Sequence, residues 1–248
     1  MSAHDCTGPK FLMLGSGEFE PWAADAEREA LASATGDGTV IIVPTASVPD
    51  RGDSFSRWAQ MGLDHYAWLG VPAKVLPLKT REDALRGPSV EDLARASMIF
   101  FSGGKPRYLS SALDGTPTWD AIVAALRRGA VYAGCSAGAM VASQARTHAV
   151  DGRRGQEWVH GLGLIPHVSF GVHWDRMRFI PGMRPFVMSR VPAGSWFVGI
   201  DERTAILGDG ERWRVYGGGT VTARNGRDTV RYHEAEEFET PWPRRQPT

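Results

Sequence analysis

Five short apolar runs, Phe11–Leu14, Val40–Val43, Lys74–Leu78, Met98–Phe101 and Ala130–Ala133, alternate with amphipathic segments, and this alternation limits the fold more than any other feature of the chain. Each run is too short for a core helix and is bounded by Gly, Pro or polar residues, as expected of strands buried on both faces. The segments Ala23–Ala34, Phe55–Leu69, Val90–Ala96 and Trp119–Leu126 read as helices, the last behind the start signal Thr116-Pro117-Thr118. Strands that alternate with helices need crossover connections, which are right-handed and give a largely parallel sheet covered on both sides. The predicted class is α/β, a three-layer sandwich around a mostly parallel central sheet.

From Ser195 the texture changes. Ser195–Ile200, Thr204–Leu207, Arg212–Tyr216 and Thr220–Ala223 are separated by turns such as Gly208-Asp209-Gly210 and Gly217-Gly218-Gly219, which predicts an antiparallel β extension at one edge of the sheet. The 248 residues suit a single domain, 1–248, with residues 1–9 and 240–248 expected as flexible ends. Lys plus Arg and Asp plus Glu both number 28, so no overall field favours nucleic acid or an anionic membrane. The two cysteines, Cys6 and Cys135, are too few for a disulfide framework or a zinc site. With no signal-peptide core and no membrane-spanning run, the expected location is cytoplasmic.

The most informative segment for chemistry is Gly134-Cys135-Ser136-Ala137-Gly138, set between the fifth apolar run and a helix-forming stretch. That is the context of a nucleophile elbow, in which a strained strand-to-helix turn projects the middle side chain outward. Glycines flank it because a Cβ at either position would strike a neighbouring strand or helix. The following helix also aims backbone N–H groups and its positive end at the site. A second turn, Ser102-Gly103-Gly104-Lys105, follows another apolar run, and an N–H from it could join that of Ala137 as an oxyanion hole. It is not a P-loop, since Pro106 follows Lys105 and the first glycine is missing, and Gly15-Ser16-Gly17 has Glu20 where a dinucleotide fingerprint needs glycine.

Ser136 needs a base. His148, His160, His167 and His173 all follow the elbow, and His173 stands at a strand end just before Trp174-Asp175-Arg176 opens a helix. Two rivals remain: Cys135 as nucleophile of an amidotransferase-like enzyme, and a binding protein that keeps the pocket without turnover. Arg146, Arg153, Arg154 and Arg176 are candidates for holding a substrate carboxylate.

These motifs, together with Leu14-Gly15-Ser16-Gly17-Glu18, Ile41-Ile42-Val43-Pro44-Thr45-Ala46-Ser47, Gly161-Leu162-Gly163-Leu164 leading to His173, and Gly199-Ile200-Asp201-Glu202 with Thr204-Ala205, resemble the serine peptidase family of cyanophycinases and α-aspartyl dipeptidases. The resemblance implies a flavodoxin-like fold similar to class I glutamine amidotransferase domains. It implies Ser136 as nucleophile, His173 as general base, and Gly104 and Ala137 as oxyanion donors. For the acid it points to Asp151, with Glu157 as its alternative, and the sequence leaves Asp175 open as a third candidate. It also implies hydrolysis of a small, aspartyl-containing peptide or isopeptide, with no metal or organic cofactor required; a monomer or homodimer is expected. The chain departs from the family at Lys105-Pro106, where cyanophycinases tend to carry Asp-Gln, and at Gly171, where an acidic or amide residue is frequent.

Overall fold

The structure, a computed structural model, describes residues 8–87, 90–143, 147–148 and 158–242, with 147–148 and 158–159 described as backbone only. Strands β1 (Lys10–Leu14), β2 (Val40–Val43), β3 (Ala73–Val75), β4 (Met98–Phe101) and β5 (Val131–Cys135) alternate with helices α1 (Ala24–Ala32), α2 (Ser54–Leu69), α3 (Arg81–Arg86), α4 (Val90–Arg95), α5 (Pro106–Leu113) and α6 (Pro117–Arg127). The five strands lie in the order β1-β5-β4-β2-β3, and every neighbouring pair is parallel. The third run forms a shorter strand than its sequence suggests. Pro77 has no N–H for a ladder, so β3 stops at Val75 while Leu76 and Leu78 stay buried beyond it.

Alternate residues of each strand serve opposite faces. Phe11, Met13, Ile41, Val43, Ile99, Phe101 and Tyr132 pack with Leu109, Leu113, Trp119, Ile122 and Leu126 from α5 and α6. Leu12, Leu14, Val40, Ile42, Met98, Phe100 and Val131 meet Ala26 and Ala30 of α1 and Tyr66 of α2. Burial on both faces is why these strands read as continuous apolar runs. Helix ends follow local chemistry. The Thr116 hydroxyl accepts from the Trp119 N–H ahead of Pro117, and Gly70 closes α2 in the left-handed conformation.

After β5 come α7 (Ala137–Val141), β6 (Thr147–His148), β7 (Trp158–Val159), β8 (Val168–Gly171), α8 (Trp174–Met177) and α9 (Met183–Met188). Then follow β9 (Trp196–Ile200), β10 (Thr204–Gly208), β11 (Arg212–Gly217), β12 (Val221–Asn225), β13 (Asp228–Tyr232) and β14 (Glu237–Glu239). The antiparallel extension is present but divided. β10, β11 and β14 continue the large sheet beyond β1, giving eight strands in the order β14-β11-β10-β1-β5-β4-β2-β3. β9 and β12 instead join a second sheet, β13-β12-β9-β8, in which β8 runs parallel to β9. The reason lies in β9, where Phe197, Val198 and Ile200 are all buried and so need cover on both faces. Val198 and Ile200 share a core with Trp213 and Val215 of β11, and Phe197 packs on Trp174 with ring centroids 4.7 Å apart.

The chain is anchored further toward its C-terminus than expected. Thr240 is buried, its hydroxyl accepts from the Trp213 indole N–H at 2.9 Å, and its carbonyl lies 2.9 Å from His167 Nε2. No described helix is long and apolar enough to cross a membrane.

Candidate active site

Ser136 joins β5 to α7 with φ 49° and ψ −106°, a conformation that costs a non-glycine residue of the order of 1–3 kcal/mol. Its surroundings leave little choice. A Cβ on Gly138 would come within 2.3 Å of the Phe101 carbonyl oxygen, and one on Gly134 within 2.6 Å of the Gly138 backbone. The two glycines thus let α7 start directly against β4 and β5. The Ser136 N–H donates to the Leu14 carbonyl at 3.0 Å, which ties the elbow to the end of β1.

The Ser136 hydroxyl faces His173, with Oγ 3.1 Å from Nε2. His173 caps α8 in the left-handed conformation, φ 50° and ψ 38°, two residues beyond the end of β8. Its other ring nitrogen, Nδ1, lies 3.3 Å from Glu202 Oε1, and the second oxygen of Glu202 accepts from Arg176 Nε at 2.8 Å. Glu202 sits on the tight connection between β9 and β10. There Asp201 is occupied by the Thr220 N–H and hydroxyl, at 3.0 and 2.6 Å, which among the described residues leaves Glu202 as the acid facing the histidine.

The expected acids fare differently. Asp151 and Glu157 lie outside the described residues, as do Arg146, Arg153 and Arg154. Asp175 does not reach His173; its carboxylate accepts from the Glu202 N–H at 2.9 Å and so supports the acid rather than supplying it. The sequence reading missed Glu202 although the segment that carries it was singled out. The available signal was strand pairing: β8 and β9 are parallel neighbours with Gly171 opposite Gly199, so His173 and Glu202 leave adjacent strand ends. Gly171 itself is packed tightly, since a Cβ there would come within 2.5 Å of the Phe197 ring. Of the other candidate bases, the His148 side chain lies outside the described residues, and two are placed elsewhere. His167 is bound to the C-terminal segment, and the His160 carbonyl accepts from the Ser110 hydroxyl at 2.5 Å.

The turn after β4 lies beside the elbow. A Cβ on Gly103 would stand 3.4 Å from Ser136 Cβ, and Gly104, at φ 140°, has its Cα against the Ala46 carbonyl, where a Cβ would approach to 2.3 Å. The N–H groups of Ser102, Gly103 and Lys105 are committed to the Val43 carbonyl, Glu18 Oε1 and the Ala46 carbonyl, at 3.3, 2.7 and 2.7 Å. Among the described residues, no partner takes the N–H of Gly104 or of Ala137. Cys135, by contrast, is fully buried with its thiol donating to Glu18 Oε2 at 2.8 Å. Burial, with the Glu18 carboxyl next to it, pushes the thiol well above its ordinary range, so it is a poor nucleophile. No three described His, Cys, Asp or Glu side chains gather as a metal site.

Comparison with known proteins bears on the family and the fold. No curated relative matches the sequence. A peptidase from an acI-B1 Actinobacterium superposes with a TM-score of 0.84 at 29% identity, over 94% of this chain and 97% of that one. A putative peptidase E protein from Listeria monocytogenes EGD-e shares the fold at a TM-score of 0.58 and 16% identity, over 91% of this chain and 98% of that one. Residues 11–216 match Peptidase family S51, and the chain therefore belongs to that family, the serine peptidases of the cyanophycinase and peptidase E type.

Proposed function

We propose that the chain cleaves a peptide or isopeptide bond in a small, aspartyl-containing substrate through an acyl-enzyme on Ser136. The observation that carries this reading is the continuous path from Ser136 Oγ through His173 to Glu202, with separations of 3.1 and 3.3 Å. Ser136 attacks the carbonyl carbon while His173 Nε2 takes its proton, and Glu202 stabilises the imidazolium through Nδ1–H. The N–H groups of Gly104 and Ala137 receive the oxyanion, a stabilisation worth about 10²–10³-fold in rate per donor. The imidazolium then protonates the leaving amine as the C–N bond breaks. Water, deprotonated by His173, attacks the ester and frees Ser136.

Glu202 takes the third position here, in place of Asp151, because among the described residues it is the carboxylate at Nδ1. The aspartyl preference rests on family membership. The amidotransferase-like alternative on Cys135 is disfavoured by that thiol's burial.

Intact-protein mass after treatment with a fluorophosphonate tests the chemistry. One adduct is expected on the native chain and on Cys135→Ala, with none on Ser136→Ala and a strongly slowed reaction on His173→Ala. A panel of α-aspartyl and isoaspartyl dipeptides then tests the substrate class. Native protein that is folded yet never labelled, and hydrolyses no member of the panel, overturns the reading.

A further inference from the structure

Glu18 is a buried acid that the reaction above does not use. It lies in the loop after β1, is 5% exposed, and each of its oxygens has a separate partner. Oε1 accepts from the Gly103 N–H at 2.7 Å and Oε2 from the Cys135 thiol at 2.8 Å. Gly103 immediately precedes Gly104, and Cys135 immediately precedes Ser136. A single carboxyl group thus joins the turn that carries one proposed oxyanion donor to the elbow that carries the nucleophile and the other donor.

The neighbouring residue explains how the chain keeps an acid there. Phe19 holds a left-handed backbone, φ 62°, which bulky side chains rarely adopt. Its ring is fixed among Phe100, Tyr66, His65 and Trp58, with the Phe100 centroid 4.8 Å away. The aromatic cluster overdetermines the loop, and the Glu18 carboxyl is held under the two strand ends. By taking the Gly103 N–H, Glu18 fixes the orientation of that peptide, so the N–H that the turn offers to the site is the next one, that of Gly104.

We infer that Glu18 is a positioning residue for the oxyanion hole, setting the separation and direction of the Gly104 and Ala137 N–H groups without touching substrate. This rests on the acyl-enzyme reading above. Its signature is selective. Donors that serve the developing oxyanion matter in the transition state and little in ground-state binding, so their misplacement lowers the rate constant and spares affinity. Gln in place of Glu retains an oxygen for the Gly103 N–H, whereas Met matches the length and has no comparable acceptor.

The test is the inactivation of the full chain by a fluorophosphonate, resolved into a maximal rate constant and a half-saturating concentration, with circular dichroism and thermal melting to verify folding. Glu18→Met is expected to lower the rate constant about 10²-fold while changing the half-saturating concentration less than threefold. Glu18→Gln is expected to stay within about fivefold of native. Glu18→Asp, whose shorter arm reaches only one donor, should fall in between, and it supplies the reading if Glu18→Met does not fold. Folded Glu18→Met and Glu18→Asp that both react at the native rate overturn the inference, as does a loss confined to the half-saturating concentration or one that Gln does not restore. Native protein that never reacts would instead defeat the acyl-enzyme reading, so the two failures are distinguishable.

Discussion

Replacing Glu202 by Gln keeps the side chain's shape and removes its charge, which isolates what the acid does for His173. The loss follows from geometry. At 3.3 Å, a unit charge pair is worth roughly 1 kcal/mol at the dielectric constant of water and roughly 5 kcal/mol at an effective value of 20. The side chains of His173 and Glu202 are 39% and 32% exposed, so the pair lies between these limits, near 2–3 kcal/mol. That corresponds to about 10²-fold in kcat/KM. Because the imidazolium forms only as Ser136 attacks, the loss belongs in kcat, with KM nearly unchanged. The assay is hydrolysis of whichever dipeptide the native enzyme cleaves, or the rate of fluorophosphonate labelling, with Asp151→Asn alongside. Glu202→Gln within threefold of native, or Asp151→Asn with the larger loss, refutes the assignment of Glu202.

Gly138→Ala places a methyl group on the Phe101 carbonyl, and both a lower melting temperature and loss of labelling are expected, since backbone oxygen cannot yield as a side chain can. In a Cys6→Ser background, Cys135 should resist iodoacetamide at pH 8 in the folded chain and react fully in denaturant. Its raised pKa also has a consequence for stability: the unfolded thiol ionises first, so stability falls as pH rises past the ordinary thiol value, and Cys135→Ala should lose less between pH 8 and 10. The buried pair of Glu27 Oε2 and His65 Nε2, 2.5 Å apart, gives another test. His65→Leu strands the Glu27 carboxyl and should cost about 3–5 kcal/mol, whereas Glu27→Leu combined with His65→Leu is near neutral. Burial raises Glu27, so it is protonated more readily in the folded chain, and the His65→Leu deficit measured by chemical denaturation should shrink as pH falls from 8 to 5.

The parallel half of the fold was legible because its strands are buried on both faces, and shortness with bounding Gly, Pro or polar residues separates such runs from helices. The divided C-terminal half was not. The strands β9 and β10 carry similar apolar patterns, and only the cover available to β9 decides that it leaves the large sheet. Ser136 was readable from its glycines, whose steric reason is local. Glu202 was not, because its approach to His173 depends on β8 pairing with β9, a contact between segments separated by two helices. Likewise, nothing in Gly17-Glu18-Phe19 as a string announces a buried acid; the aromatic cluster that holds it comes from α2 and β4.

Ser136 and the two residues proposed to assist it are carried by different parts of the fold. Ser136 rides on the large sheet, at the end of β5, His173 follows β8 of the small one, and Glu202 lies where the chain passes from β9 of the small sheet to β10 of the large one. The Ser136–His173 separation therefore spans the seam between the sheets, and the acid stands on the segment that joins them. Any slip of one sheet across the other changes that gap and strains the connection that holds the carboxylate. The reactivity of Ser136 thereby becomes a gauge of how well the two sheets are seated, and substitutions far from the site, among Trp213, Val215, Val198 and Ile200, should be felt there first.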